Sequence, residues 1–223
     1  MSIVLSDLAE RLGTLTKLVL AEPVARIGHS RVTVRPLTLR GKAFFQLEYQ
    51  QGQKVAHCNE VAVRYGYEGL RFVVADVTRD VLYDEHIDML VTLHACDTAT
   101  DYALHYAISR GVEHIFSVPC CQHEVNKAIQ KGGDFDLLLS HGLFQERFSA
   151  LLTDAIRAAV LEDEGYDVDV IEFIDFAHSP KNLMLRCRRT GKRGTKKLAE
   201  ARRLREQYGF EQTLLSLAEN DKK

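Results

Sequence analysis

The sequence predicts an α/β fold built on an open sheet whose last strand runs against its neighbours. Short apolar segments rich in β-branched residues alternate with longer segments of helical spacing. Two strands then follow the last of these helices, and the link between them, FAHSPKN, is too short for a parallel crossover. The 223 residues allow one full domain with an appendage.

The N-terminal part is predicted to contain a helix, a β-hairpin and a second helix. Apolar spacing suggests a short helix over Met1–Leu20. Alternating apolar residues on either side of Gly41 predict a hairpin over 32–49. A helix over Lys54–Tyr65 is expected to stop at Gly66.

The middle of the chain is predicted to alternate strands with helices. Thr98 and Asp101 have capping-box spacing and open a helix that runs to Arg110, before Gly111. A short helix follows Pro119. The strands of this part are Arg71–Ala75, Met89–Leu93 and Glu113–Val118.

The C-terminal part begins with the most regular helix of the sequence. Its apolar positions, all expected to face the core, are Phe148, Leu151, Leu152, Ala155, Ile156, Ala159 and Val160. Two strands over Val168–Phe173 and Leu183–Arg188 then form the antiparallel pair. We divide the chain into an N-terminal region (1–53), a central domain (54–190) and a basic helical tail (191–223).

The composition is that of a globular protein. Hydrophobic residues make up 46% and charged residues 27% of the chain, which excludes disordered, collagen-like and disulfide-scaffold classes. No apolar run approaches the roughly 18 to 20 residues of a bilayer span, and the N-terminus carries acids where a signal peptide has basic residues. We therefore expect a cytoplasmic protein without membrane segments.

Charge is distributed unevenly along the chain. Residues 181–223 hold 13 Lys and Arg against 5 Asp and Glu, whereas the first 180 residues hold 16 against 26. Such a basic cluster binds polyanions by neutralising phosphates, although a solvated terminal helix explains it equally well. RNA is therefore one candidate partner. The cluster consists of Arg186, Arg188, Arg189, Lys192, Arg193, Lys196, Lys197, Arg202, Arg203 and Arg205.

Three polar clusters follow predicted strands, at the edge where open α/β sheets carry their chemistry. They are Asp76, the segment 94–97 and the segment 119–124. The adjacent Cys120 and Cys121 cannot form an ordinary unstrained disulfide, and the five cysteines are odd in number. Reduced thiols or metal ligands are the two alternatives.

Two of these clusters belong to motifs of a known family. LHACDTATDYAL (Leu93–Leu104) and SVPCCQHE (Ser117–Glu124) resemble the motifs of S-adenosylmethionine-dependent methyltransferases. As a pair they are similar to those of the tRNA ribose 2′-O-methyltransferase family. The resemblance also covers VTVRPLTLRGKAFFQLEYQQGQKVAH, FVVADV, ERFSALLTDAIRA and IEFIDFAHSPKNLMLR.

The resemblance implies a class I methyltransferase fold, Rossmann-like, with strand order 3-2-1-4-5-7-6, S-adenosylmethionine as cofactor and RNA as the favoured acceptor. It places four residues on the cofactor side: Asp76, Val77, Leu93 and His94. It places five residues on the acceptor side, as candidate catalytic residues: Cys96, Asp97, Cys120, Cys121 and His123.

The chain departs from the family at the cofactor's glycine-rich turn. It contains no Gly-x-Gly, and a block near His57 that should supply the first two strands and a ribose-binding acid is missing. We therefore expect the sheet to lack its first two strands and cofactor binding to be weak or lost. If the hairpin at 32–49 filled the gap, it would restore hydrogen bonding but not the glycine turn.

Several candidate residues have an ordinary structural explanation as well. Asp76 fits a turn equally well, and Asp97 fits a helix N-cap as well as a proton acceptor. Asp101 is explained by the capping box alone. The two adjacent cysteines fit either a small apolar pair or thiols with pKa values lowered by a helix N-terminus.

Two other functions stay open. One is a binding module without cofactor, which attaches to RNA or protein through the surviving half-domain and the basic tail. The other is a module stabilised by zinc, because thiol and imidazole groups are the ligands that zinc prefers. Its candidate ligands are His94, Cys96, Cys120, Cys121 and His123.

Overall fold

The computed structural model describes residues 17–21, 33–39, 42–48, 59–66, 73–74, 87–93, 97–175, 177, 181–194 and 196–221. Within these residues the protein has a mixed α/β architecture with an open sheet. The strands are β1 (Lys17–Ala21), β2 (Thr33–Leu39), β3 (Lys42–Glu48), β4 (Val73–Val74), β5 (Met89–Leu93), β6 (His114–Val118), β7 (Tyr166–Glu172) and β8 (Leu183–Arg189).

The helices lie mostly in the C-terminal two thirds of the chain. Helix α1 spans residues 59–64. The others are α2 (Thr98–Arg110), α3 (His123–Ala128), α4 (Gly142–Asp163), α5 (Lys196–Tyr208) and α6 (Thr213–Asn220), with a 3-10 turn at Leu138–Ser140. Among the helices of these described residues, none has the length and apolar character that a bilayer crossing requires.

The eight described strands form one sheet in the order β4-β2-β3-β1-β5-β6-β8-β7. Strands β3, β1, β5 and β6 are parallel to one another. Strand β8 is antiparallel to both of its neighbours, so β7 runs in the direction of β6. The carboxyl ends of β3, β1, β5, β6 and β7 therefore share one edge of the sheet.

The two predicted antiparallel pairs are confirmed. In the hairpin, β2 pairs with β3 and Leu39 lies opposite Lys42. In the C-terminal pair, β7 pairs with β8 and Tyr166 lies opposite Arg189. The short connection between β7 and β8 permits only this direction.

The predicted helix over Met1–Leu20 is wrong at its C-terminal end, where residues 17–20 belong to β1. A short apolar run such as Leu18, Val19 and Leu20 has no period that separates a buried strand from a helix. Residues 1–16 lie outside the described residues.

The expectation that two strands are missing beside β5 is also corrected. Strand β1 lies parallel to β5, with Leu20 opposite Val91. Strand β3 of the hairpin lies on the other side of β1. The sequence signal was misleading because the segments that continue the sheet are the N-terminal run and the hairpin, which contain no glycine-rich turn.

Helix α4 is confirmed in position, but its buried face differs from the prediction. Leu151 and Ala155 are exposed, whereas Ser149, Thr153 and Arg157 are buried. Arg157 is buried where it pairs with a carboxylate of α2, and the Thr153 hydroxyl donates a hydrogen bond to the Ser149 carbonyl. Apolar periodicity alone could not show this pairing.

The C-terminal helices contribute to the same core as the sheet. Tyr208, Phe210, Leu214 and Leu215 are buried in a cluster that also contains residues of β5 and β6. The cluster includes Leu198 and Ala201 from α5 as well. The segment after residue 195 therefore packs into the core, while the segment boundaries at residues 53 and 190 stay a prediction.

Candidate functional site

The two motif segments, Leu93–Leu104 and Ser117–Glu124, lie side by side because they begin at the carboxyl ends of two adjacent parallel strands, β5 and β6. Leu93, the last residue of β5, lies opposite Val118, the last residue of β6. One residue earlier, the buried hydroxyl of Thr92 donates a 2.7 Å hydrogen bond to the hydroxyl of Ser117. This contact fixes the two strands to each other just before their carboxyl ends.

The structure describes four of the candidate residues with their side chains, namely Asp97, Cys120, Cys121 and His123, and for Leu93 the backbone. Asp76, Val77, His94 and Cys96 lie outside the described residues. The strand that precedes Asp76, β4, is at one edge of the sheet, with three strands between it and β5.

Asp97 has an unusual backbone conformation. Its φ of 56° and ψ of −124° make it the one non-glycine residue with positive φ in the part of the chain that the structure describes. These angles are those of the first central residue of a type II′ turn, which strongly favours glycine. Such a conformation costs about 1–3 kcal/mol and persists only where the surroundings fix it.

Asp97 joins the two motif segments. Its backbone N–H donates a 3.2 Å hydrogen bond to the carbonyl of Cys121. Its carboxylate oxygen Oδ1 accepts a 3.0 Å hydrogen bond from the backbone N–H of Glu124. Asp97 immediately precedes α2, yet its side chain makes no cap to α2 and caps the first turn of α3 instead.

The capping-box interpretation of Asp101 is wrong. The carboxylate of Asp101 is fully buried and forms a two-pronged ion pair with Arg157 of α4, with Nε to Oδ1 at 2.9 Å and Nη2 to Oδ2 at 2.8 Å. Thr98 is the first residue of α2, so it does not occupy the N-cap position. The local spacing was misleading because the partner lies 56 residues away.

Arg157 pairs with a second carboxylate on its own helix. Its Nη1 donates a 2.9 Å hydrogen bond to Asp154. Burial opposes the charged form of Arg157, but the carboxylates of Asp101 and Asp154 outweigh this effect and raise its pKa above the ordinary value. Arg157 is therefore a permanent buried cation.

Asp154 links this ion pair to the second motif. Its other oxygen accepts a 2.9 Å hydrogen bond from the side chain of Gln122. Lys181, from the connection between β7 and β8, approaches the Gln122 carbonyl oxygen at 3.5 Å. Burial raises the pKa of Asp154, while Arg157 and Gln122 oppose that shift.

Glu124 connects the second motif to the C-terminal helices. Its carboxylate accepts hydrogen bonds from the backbone N–H of Thr213 at 2.9 Å and from the Thr213 hydroxyl at 2.6 Å. Burial raises the pKa of Glu124, and the two bonds from Thr213 oppose that shift. The start of α6 is thereby attached to the first turn of α3.

Cys120 and Cys121 are not joined by a disulfide bond. The sulfurs of Cys120 and Cys121 are 3.6 Å apart, far beyond the roughly 2.05 Å of a disulfide bond. His123 is exposed and begins α3. No group of three or more His, Cys, Asp or Glu suited to a metal occurs among the described residues, and two of the proposed zinc ligands, His94 and Cys96, are not among those residues.

Acidic side chains lie opposite much of the basic cluster. On the antiparallel pair, Arg186 contacts Asp169 at 2.8 Å and Arg188 contacts Asp167 at 3.6 Å. Further pairs, within the described residues, are Arg193 with Glu164, Lys197 with Glu162, and both Arg202 and Arg205 with Glu219. The net charge of the segment therefore overstates the positive charge that a polyanion would meet.

Sequence reasoning missed Arg157 and Gln212, both fully buried. The burial of Arg157 had one signal in the sequence. Arg157 lies between Ile156 and the pair Ala159 and Val160, all core-facing positions, so it falls beside the apolar face of α4. For Gln212 the sequence gives no signal, because its partner Asp101 lies 111 residues away.

Comparison with models of protein families gives a match. Residues 38–128 match the model of a family described as a methyltransferase domain. The matched range begins within β2, ends with the last residue of α3 and includes both motif segments. This match supports a methyltransferase domain in the chain. No curated protein and no solved structure matches.

Proposed function

We propose that this protein is an S-adenosylmethionine-dependent methyltransferase that acts on RNA. The observation that carries the proposal is the strained Asp97 at the junction of the two motif segments. Non-glycine residues held in such conformations cluster at active sites. Asp97 also lies inside the range that matches a methyltransferase domain.

The order of the described strands supports a class I sheet. From β5 onward the order is β5-β6-β8-β7 with β8 reversed, which corresponds to the 4-5-7-6 half of the order expected from the resemblance. Strands β1 and β3 stand where strands 1 and 2 of that order would be. Strand β2 is additional, since it lies between β3 and β4.

The residues present fit S-adenosylmethionine in part. Strand β3 ends in Glu48, at the carboxyl edge shared with β1 and β5, so the chain offers an acid for the ribose hydroxyls. Leu93, the last residue of β5, would complete the cofactor side together with His94, Asp76 and Val77, which lie outside the described residues. The sequence has no Gly-x-Gly for the methionine moiety, so the affinity should be lower than that of a glycine-rich site.

Bound S-adenosylmethionine would supply an electrophilic methyl group, and the protein then needs to orient a nucleophile and remove one proton. Asp97 is the proposed proton acceptor. Its Oδ1 is held by the Glu124 N–H, and within the described residues no hydrogen bond involves its Oδ2. We place Cys120, Cys121 and His123 beside the acceptor, where they would position it.

Only part of the basic cluster supports RNA as the methyl acceptor. Lys192 and Lys196 are exposed and make no ion pair with other described residues. They flank Arg193, which lies 3.5 Å from Glu164. Exposed cations without an acidic partner are those that neutralise phosphates with least competition.

The test is methyl transfer from tritium-labelled S-adenosylmethionine to unmodified tRNA transcripts, compared between the parent chain and Asp97→Asn. The proposal expects label that ribonuclease releases and that Asp97→Asn reduces by a factor of about 100 or more. Transfer by Asp97→Asn at the parent rate would refute the role of Asp97. Salt-sensitive RNA binding by a chain that neither binds the cofactor nor transfers methyl would refute the enzyme and establish the binding module.

A further inference from the structure

The guanidinium of Arg157 reaches the backbone of Asp97 as well as the carboxylate of Asp101. Its Nη2 donates a 2.8 Å hydrogen bond to the Asp97 carbonyl. The same nitrogen donates to Asp101 Oδ2. Because Arg157 is fully buried, this planar group is fixed in orientation, and it fixes the carbonyl that it contacts.

The conformation of Asp97 needs such support. Two further hydrogen bonds, the Asp97 N–H to Cys121 and the Thr100 N–H to the Asp97 carbonyl, are both 3.2 Å long. The Arg157 bond is shorter and charge-assisted, a type roughly twice as strong as a neutral one. Arg157 therefore makes the shortest of the three hydrogen bonds to the Asp97 backbone.

A second anchor comes from the C-terminal part of the chain. The fully buried Gln212 donates a 2.6 Å hydrogen bond to Asp101 Oδ1, the oxygen that also accepts from Arg157 Nε. The Gln212 carbonyl oxygen in turn accepts from the Leu215 N–H in the first turn of α6. A continuous series of hydrogen bonds thus leads from α6 through Asp101 and Arg157 to Asp97.

We propose that Arg157 is a positioning residue that keeps Asp97 in its strained conformation, and that Gln212 extends this support to the C-terminal helices. The inference rests on the proposed function insofar as it assigns Asp97 to methyl transfer. The support itself is a property of the fold that can be measured without a substrate.

The experiment compares the full-length parent with Arg157→Lys, Asp97→Gly and the double variant. Lysine keeps the positive charge but lacks the planar guanidinium group, so it cannot donate hydrogen bonds to the Asp101 carboxylate and the Asp97 carbonyl in the same geometry. The first readout is the iodoacetamide alkylation rate at each cysteine, resolved by mass spectrometry. The second is kcat for methyl transfer to the tRNA transcripts.

Arg157→Lys should raise the alkylation rate of Cys121, whose carbonyl accepts the Asp97 N–H, by about tenfold. The rate at the buried Cys187 should stay at the parent value. Where the parent is active, kcat should fall by roughly 100-fold with little change in KM. In the Asp97→Gly background, the substitution at Arg157 should add nothing to the Cys121 rate, because glycine adopts positive φ without support.

The matched control is Arg186→Lys, which alters an exposed arginine that also makes two hydrogen bonds to one aspartate, Asp169. It should leave the Cys121 rate unchanged. If Arg157→Lys does not fold, Gln212→Met tests the same series of contacts through Asp101 and should raise the Cys121 rate as well.

The proposal is overturned if Arg157→Lys folds and leaves the Cys121 rate at the parent value, or if its effect is the same with Asp97 and with Gly at position 97. It is also overturned if a folded Gln212→Met leaves that rate unchanged. A parent chain without methyl transfer, in which the alkylation results still hold, refutes the proposed function and keeps the positioning role.

Discussion

The side-chain amide of Gln212 donates a 2.6 Å hydrogen bond to the carboxylate of Asp101, across 111 residues of sequence. Asp101 lies in the first turn of α2, within the first motif segment, and Gln212 immediately precedes α6. Both side chains are buried. Helix α6 is therefore attached to the same ion pair that supports the candidate site.

Replacement of Gln212 by Leu should lower the free energy of unfolding by about 2–3 kcal/mol. The variant loses the cap of α6 and leaves an oxygen of buried Asp101 with one partner fewer. Urea denaturation followed by circular dichroism measures the change. The neighbouring exposed Glu211→Ala is the control and should stay within about 0.5 kcal/mol of the parent. Equal stability of the two variants would show that the bond contributes nothing.

Asp97→Gly should lower methyl transfer while leaving the free energy of unfolding nearly unchanged. Glycine relieves the positive φ, which offsets the loss of the hydrogen bond from Glu124, so the stability should stay within about 1 kcal/mol of the parent. Methyl transfer should fall by about 100-fold or more because the proton acceptor is removed.

Asp97→Ala is the matched comparison, since it removes the same carboxylate without relieving the backbone. It should be less stable than Asp97→Gly by about 1 kcal/mol or more, as measured by thermal and urea unfolding. If alanine were tolerated as well as glycine, the conformation of Asp97 would not be strained.

From β5 to α4 the regular elements were predictable from local pattern, whereas β1 and the contacts that support the candidate site were not. The strand that ends at Leu93, the helix that begins at Thr98 and the long helix α4 follow from apolar periodicity and end signals. The ion pair of Asp101 with Arg157 joins residues whose local contexts suggest a capping box and an amphipathic helix. Local context carries no information about such a partner.

The positive φ of Asp97 was not predictable for a related reason. Aspartate is enriched at positive φ mostly in the left-handed helical region, which the ψ of −124° at Asp97 lies outside. The contacts that hold Asp97 come from Cys121, Glu124 and Arg157. By contrast, the closeness of the two segments was predictable, because they follow two parallel strands whose carboxyl ends meet at one edge.

Alkaline pH should destabilise the protein through Cys187. Burial raises the pKa of this thiol from 9.0 to about 12. The unfolded chain therefore loses the proton first, and the stability falls as pH rises between about 9 and 12, by up to about 1.4 kcal/mol per unit. Denaturant titrations at pH 8 to 11 should show this slope.

Cys187→Ala should flatten the slope between pH 9 and 10. Above pH 10 a slope remains, because burial also raises the pKa of Tyr166 from 10.0 to about 12. An unchanged slope below pH 10 in the alanine variant would show that Cys187 is not the titrating group.

RNA binding should depend more on Lys192 and Lys196, which make no ion pair with other described residues, than on the paired arginines. Replacement of Lys192 and Lys196 by Ala should reduce the slope of log K against log salt by roughly 1.5, because each phosphate contact contributes roughly 0.7 to 0.9. Arg202→Ala should change this slope less, since Arg202 already contacts Glu219 at 2.8 Å. Filter binding of a tRNA transcript between 50 and 300 mM salt provides the measurement. A larger effect of Arg202→Ala would place the RNA elsewhere.

The most direct test of the methyltransferase account is calorimetric titration of S-adenosylhomocysteine into the full-length chain and into Glu48→Gln. Saturable binding at one site, weakened in Glu48→Gln, is the predicted result, because Glu48 is the last residue of β3, at the carboxyl edge beside β1. Absence of binding by a parent chain that circular dichroism shows to be folded would contradict the account.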